Sequence, residues 1–209
     1  MGKVTFHIAV SLDGYAAGPD QNLDDPIGKG GMRLHEWLFP LAVFSGTGEG
    51  EVNESTPVVQ AWTANIGAHI MGRNMFGPGR GEWDESWTGW WGEDPPYHTP
   101  VFVLTHHERE PLTMKGGTTF HFLTDGIESA LAQARQAAGD KDILIAGGAS
   151  TIQQYLAAGL VDEFELSVAP VLLGRGERLL DNLGASLPEV EQVRAVGAPG
   201  VTHLLYRVR

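Results

Sequence analysis

Short apolar runs along this chain alternate with stretches whose apolar residues recur every three or four positions, and that alternation lays out its elements. Val4 to Val10 reads as a buried strand that ends in Ser11-Leu12-Asp13-Gly14-Tyr15. Residues 17–31 are rich in Gly, Pro and Asp and predict a loop. Met32 to Phe44 is mixed and apolar, broken at Pro40, and Ser45 to Thr56 is flexible by composition. A helix is expected from Pro57 to Asn65, with Thr56 as N-cap and Pro57 in the first position. Ala68 to Met71 is a short strand, and a helical turn begins at Gly72-Arg73-Asn74-Met75-Phe76. A second long loop covers 77–100, followed by strands at Val101 to Thr105 and Thr119 to Leu123. Gly126 to Ala138 predicts a helix with Ile127, Ala130, Leu131 and Ala134 along one face and Gly139 as its cap. The remainder reads as a strand at Ile143 to Ala146, a helix from Ser150 to Ala158 closed by Gly159, and a strand from Glu163 to Ala169. A final hairpin joins Gln192 to Val196 with Val201 to Val208 around Pro199-Gly200.

Strands that alternate with helices imply βαβ units, so the expected fold class is α/β. The sheet should be mostly parallel, with an antiparallel end supplied by the C-terminal hairpin. A length of 209 residues fits one domain with a sizeable core. The 42% hydrophobic and 19% charged composition is that of a globular protein. A formal net charge of −12 argues against nucleic acid or an anionic membrane as partner, although a local pocket can still be positive. Without cysteine, disulfides and thiolate chemistry are excluded. No apolar run approaches the ~18 residues of a membrane span. Met1-Gly2-Lys3-Val4 enters a strand pattern directly, so a cytoplasmic location is expected.

The segment Asp142-Ile-Leu-Ile-Ala-Gly-Gly-Ala-Ser-Thr151 changes the picture most. A strand runs into two glycines and then a helix, which lets the backbone turn sharply while the helix aims free N–H groups and its positive dipole end at an anion. Met71-Gly72-Arg73-Asn74 and Thr105-His106-His107 are similar turns after strands. In a parallel sheet such turns line one edge, where ligands bind, so a nucleotide is the expected guest. A Gly-x-Gly-x-x-Gly after the first strand and a Gly-Lys-Ser/Thr loop are both absent, and Gly46-x-Gly48-x-Gly50 lacks a preceding strand and a basic residue. His98, His106, His107 and Glu108 fit no standard metal arrangement, so no metal is expected. Trp83, Trp87, Trp90 and Trp91, four of six tryptophans, lie in the loop over 77–100. They can close over a flat heterocycle, pack a dimer interface, or anchor the loop on the core.

The segments at Val4 to Tyr15, Met71-Gly-Arg-Asn-Met-Phe-Gly77, Val101-Phe-Val-Leu-Thr105, Ile143 to Ser150 and Leu160-Val-Asp-Glu-Phe-Glu-Leu-Ser-Val-Ala-Pro-Val-Leu-Leu-Gly174 resemble, in order, the dihydrofolate reductase superfamily. Within it they look most like the RibD C-terminal reductase domain of riboflavin biosynthesis and its stand-alone relatives. The resemblance implies a three-layer α/β/α domain around an eight-stranded sheet, NADPH as cofactor, and a homodimer. It implies reduction of a small nitrogen heterocycle or ribosylamine, as in 5-amino-6-(5-phosphoribosylamino)uracil reductase. A folate or pterin reductase, and a non-catalytic NADPH-binding module, remain alternatives. Carried over by position, Gly72, Arg73, Asn74 and Thr105 meet the adenosine-side phosphates, and Gly147, Gly148, Ala149, Ser150 and Thr151 hold the pyrophosphate. Ala9 and Val10 meet the nicotinamide through their backbone. Asp13 borders the reaction site, and Glu36, beside His35, lies where folate reductases carry a carboxylate. Asp13 also reads as a turn former, and His35-Glu36 as an exposed pair.

Overall fold

The computed structural model describes residues 2–184 and 187–209. Its elements in chain order are β1 (Val4–Ser11), β2 (Tyr15–Ala17), α1 (Ser55–Ala61), β3 (Ile66–Gly72), α2 (Arg73–Phe76), β4 (Pro100–Leu104), β5 (Leu112–Thr113), β6 (Thr119–Leu123), α3 (Ile127–Ala138), β7 (Asp142–Gly147), α4 (Ala149–Ala157), β8 (Glu163–Ala169), β9 (Glu177–Arg178), β10 (Val190–Ala198) and β11 (Val201–Val208). A 3-10 turn, Gly31–His35, lies between β2 and α1.

Nine strands form one sheet in the order β10-β11-β8-β1-β7-β3-β4-β6-β5. The run from β8 to β6 is parallel throughout, whereas β11 and β10 at one edge and β5 at the other are antiparallel. The ninth strand beyond the expected eight is the two-residue β5, which pairs Leu112 and Thr113 with Phe120 and Thr119. A separate two-stranded sheet joins β2 to β9.

Period-two alternation decides which layer each side chain enters. In β4, Phe102 and Leu104 pack with the faces of α3 and α4, and Val101 and Val103 pack on the other side. The first layer is helical: Leu131 and Ala134 of α3 and Ile152, Tyr155 and Leu156 of α4 cover Val4, Phe6, Ile70, Ile143 and Ile145. The second layer is built from the 3-10 turn, α1 and the loop over 77–99. Trp37, Leu38 and Leu41 pack with Val59 of α1 and Val201 of β11. Phe76, Trp83, Trp87 and Trp91 pack over Met71, Val103, Phe120 and Phe122.

Helix α1 differs from its expected bounds. It starts at Ser55 and ends at Ala61, so Thr56 lies inside it. The turn is closed by Asn53, whose Oδ1 accepts from the Ser55 N–H at 2.9 Å while its own N–H donates to Thr56 Oγ1 at 3.0 Å. Reciprocal side-chain bonding of this kind satisfies first-turn donors without a residue at the N-cap doing so.

Candidate functional site

Because β1, β7, β3, β4 and β6 run parallel, their carboxyl ends share one edge of the sheet. A cavity of about 560 Å³ opens there, within the range of small-molecule sites. Neighbouring strands are about 4.8 Å apart, so a groove from β1 to β6 crosses roughly 19 Å, which suits an elongated ligand. Two helices begin at its wall. Helix α4 starts after Gly148 and α3 after Gly126, and no side chain caps either one. Their first N–H groups and dipole ends therefore face the groove without an internal acceptor, the arrangement that attracts phosphate.

The glycines follow from geometry. Gly147 has φ of +123°, a region that disfavours any side chain, and the bond to Gly148 is cis. Gly72, at the end of β3, has ordinary torsions, but a Cβ there would lie 2.4 Å from Thr151 Oγ1. Strand β3 thus abuts the first turn of α4, where Thr151 is buried. Gly72→Ala is expected to cost about 1–3 kcal/mol, measured as the urea midpoint. Adding Thr151→Ala should restore most of that loss, and a native midpoint in the single variant would refute the close contact.

Arg73 starts α2 and lines the groove. Its guanidinium stacks on Trp83 at 3.9 Å and donates to the Glu82 carbonyl at 3.2 Å, while its Nε is buried with no hydrogen-bond partner. Burial pulls its pKa down, against the attraction of Glu82. Asn74 is exposed on the groove wall. Thr105 also lines it, but its hydroxyl closes the next turn, accepting from the His107 N–H at 3.1 Å. Gly147, Gly148, Ala149, Ser150 and Thr151 all line the groove.

The β1 end of the groove departs from expectation. Ala9 packs with Leu34, Ala169 and Val171, and Val10 packs in the main core; Ile8 lines the cavity instead. The carboxylate of Asp13 accepts from Ser11 Oγ at 2.5 Å, the Leu173 N–H at 3.1 Å and the Gly174 N–H at 2.6 Å. These bonds, that from Ser11 first, hold its pKa well below the usual carboxylate range. Asp13 therefore ties the turn after β1 to the loop after β8, and it does not line the groove. Glu36 is exposed and lies outside the groove, whereas its neighbour His35 lines it.

The structure adds wall residues that the sequence reading passed over. Thr124, Gly126 and Ile127, between β6 and α3, form a fourth turn of the same kind, and Gly126 before an alanine-rich helix was the available signal. Gln21, Pro26 and Ile27 come from the loop over 17–31, which carried no periodicity to mark it. The four tryptophans of the second loop do not line this cavity. Trp83 donates to the His107 carbonyl at 2.8 Å and Trp87 to the Phe76 carbonyl at 3.0 Å. Trp91 stacks over Phe120 at 6.0 Å, and Trp90 packs edge-on to Trp87 at 4.8 Å. Trp83, Trp87 and Trp91 thus pack the loop onto the core, while Trp90 lies beside Asn74 and Arg80.

An α/β domain whose parallel strand ends and uncapped helices frame one groove defines the dihydrofolate reductase-like class. Known proteins place it more narrowly: the RibD C-terminal domain matches residues 2–200, and the chain belongs to that family. The uncharacterized protein YyaP of Bacillus subtilis (strain 168) is 34% identical over 91 residues, which are 42% of this chain and 48% of YyaP. The match thus spans about half of that relative's length. A crystal structure from Shewanella sp. PV-4, of a protein assigned provisionally to riboflavin biosynthesis, superposes with a TM-score of 0.64 at 24% identity over 99% of each chain. Dihydrofolate reductase of Enterococcus faecalis, complexed with NADP(H), superposes with a TM-score of 0.55 at 14% identity, covering 100% of this chain and 97% of that one. These two likenesses are likenesses of fold. Among the described residues no helix is long and apolar enough to cross a membrane.

Proposed function

We propose that this protein is an NADPH-dependent reductase of a small nitrogen heterocycle or ribosylamine, most like 5-amino-6-(5-phosphoribosylamino)uracil reductase. Membership of the RibD C-terminal family supports the reaction class. The observation that carries the cofactor is the pair of uncapped helix N-termini, α3 and α4, meeting at one groove beside Gly147-Gly148. The Arg73 guanidinium on the same wall fits an anionic guest as well. When bound, the reduced nicotinamide supplies the hydride.

The protein's own part is placement. Gly147 to Thr151 hold the pyrophosphate, with the first-turn N–H groups of Ala149 and Ser150 free to donate while the Thr151 N–H closes the turn on the Gly148 carbonyl at 3.0 Å. Arg73 and Asn74 take the adenosine-side phosphate, with the Arg73 plane held flat by Trp83. At the β1 end Ile8, Ala16, Ala17 and Ile27 form an apolar wall that keeps water from the reacting atoms. Neither Asp13 nor Glu36 takes the part assigned to it, because the first is bonded to Ser11, Leu173 and Gly174 and the second lies outside the groove; the carboxylate on the described wall is Glu177, exposed on β9. The folate alternative rested on an acid at Glu36, which does not face the groove.

Calorimetric titration of folded protein with NADPH and NADP+ tests the reading; no binding of either would end it. Arg73→Ala should weaken NADPH roughly tenfold to a hundredfold while NADH changes little, from the loss of charge-assisted hydrogen bonds to a 2′-phosphate. Equal losses for the two cofactors would remove Arg73 from that role.

A further inference from the structure

The two ends of the groove differ in charge. Its basic side chains, Arg73, Arg80, His106 and His107, stand on the segments that follow β3 and β4. Arg80 also borders, with Asn74 and Trp90, the crevice where the loop over 17–31 closes on that wall. The uncapped starts of α4 and α3 follow β7 and β6. At the β1 end no lysine or arginine lines the cavity among the described residues. Beside the apolar wall, its polar members are Gln21, His35 and Glu177. Burial lowers the His35 pKa, so that ring is neutral near neutral pH. Lys29, Arg33, Arg175 and Arg178 lie on neighbouring segments, and none of them lines the cavity. Lys29 is bonded to Asp20 at 2.9 Å, and Arg178 pairs with Asp181 at 3.5 Å. Glu177 is therefore the charged group of this end.

The backbone that carries Glu177 is anchored on three sides. Glu177 pairs with Ala17 where β9 meets β2. The Arg178 carbonyl accepts from the buried Gln153 of α4 at 2.8 Å. The Leu179 N–H donates to the Gly14 carbonyl at 3.0 Å, and Leu179 is fully buried. The Glu177 side chain itself has no hydrogen bond or ion pair among the described residues. We infer that the substrate of this site carries no phosphate, and that Glu177 is the specificity-determining residue that accepts its N–H donors. The inference rests on the reductase reading, because it takes the β1 end as the substrate's place, and it narrows the substrate class within that reading. A carboxylate offers acceptors only, so it matches an amine or a ring N–H beside an amino group, which it can hold by two parallel bonds. A phosphate brings close to two negative charges. At the β1 end it meets Glu177 and no cation, whereas at the other end the arginines receive it.

The test uses the native protein saturated with NADP+, with Glu177→Gln and Glu177→Lys as variants. Two probes that differ only in a phosphate, 5-amino-6-(5-phosphoribosylamino)uracil and its dephosphorylated form, are titrated by calorimetry. The dephosphorylated probe is expected to bind the native protein roughly threefold to tenfold more tightly. Glu177→Gln should weaken that probe roughly tenfold and erase the preference, and Glu177→Lys should reverse it. NADP+ affinity should stay within about twofold in both variants, which separates a lost ligand contact from a damaged fold. Three results would overturn the proposal. The first is failure of the dephosphorylated probe to bind. The second is tighter binding of the phosphorylated probe to the native protein, the outcome expected if Arg80 reaches its phosphate. The third is an unchanged preference in Glu177→Lys. Failure of the native protein to bind NADP+ would instead strike at the reductase reading, so the two failures are distinguishable.

Discussion

Lowering the pH from about 7 to about 5 is expected to remove about 4 kcal/mol of folding stability. The cause is two imidazoles on the inner face of the sheet, His7 on β1 and His69 on β3. Burial, with a smaller contribution from His69, lowers the His7 pKa to about 3, and burial lowers that of His69 to about 4. His7 lies flat against Trp62 at 4.2 Å, and His69 packs edge-on to Tyr97 at 4.8 Å with Nδ1 2.8 Å from Thr99 Oγ1. The unfolded chain takes up protons at these positions near the ordinary pKa of about 6.5, and the folded protein refuses them until far lower pH. Their contribution is therefore complete above that value, falls as the pH drops below it, and levels off beneath the folded pKa. At pH 5 each imidazole accounts for about 1.5 units, or about 2 kcal/mol. Asp13, Asp20, Asp84 and Glu191 all have lowered pKa values, so they act at more acid pH, whereas burial also lowers the pKa of His35, His121 and His203, which add to the loss in this window. Urea midpoints at the two pH values measure the loss, and His69→Gln should remove about 2 kcal/mol of it. An unchanged midpoint would mean that both rings accept protons within the fold.

Tyr155→Ala is expected to destabilise the protein by about 3–5 kcal/mol, and Tyr155→Phe by about 1–3 kcal/mol. Tyr155 is fully buried in the core between the helices and the sheet. Its hydroxyl donates to the Ile127 carbonyl at 2.8 Å, joining α4 to the first turn of α3. Removing the ring opens a cavity; removing only the hydroxyl loses the bond between the two helices. The hydroxyl matters beyond stability because α3 and α4 are the two helices whose N-termini wall the groove. Tyr155→Phe should therefore weaken NADP+ binding more than Val101→Ala, a truncation in the opposite layer. Denaturation and calorimetry on both variants decide it, and native NADP+ affinity in Tyr155→Phe would show that the helix pairing does not shape the groove.

Much of the groove wall around Gly147 could be read from local order. A strand, two glycines and a helix at Asp142 to Ala157 determine one another over a few residues, because a φ of +123° at Gly147 and an uncapped helix start are properties of the backbone next door. The same reasoning reached Gly72 and Arg73. It did not reach Gly126 and Ile127 as wall residues, because that turn has a single glycine and no basic side chain, and its one charged residue, Asp125, has the wrong sign for an anion site.

The other end of the groove was decided across distance. Asp13 and Glu36 read as candidate acids from their neighbourhood, yet the partners that bind the Asp13 carboxylate lie 160 and 161 positions along the chain. Which of His35 and Glu36 faces the groove depends on how the 3-10 turn seats Leu34 against β1 and β8, and one residue of register separates the two outcomes. The tryptophan loop is the same case: an aromatic cluster closes a site or anchors a loop equally well until the strands beneath it are placed.

Apolar periodicity and glycine placement, on their own, determined the α/β class, the strand-to-helix turns and the family resemblance, because each depends on residues adjacent in sequence. Tertiary structure alone decided that a fourth turn, Thr124 to Ile127, joins the three expected ones on the groove, that the Asp13 carboxylate is bonded to the loop after β8, and that His35 lines the β1 end. Those outcomes depend on contacts between segments far apart in the chain, and no local pattern encodes which distant surface a side chain will meet.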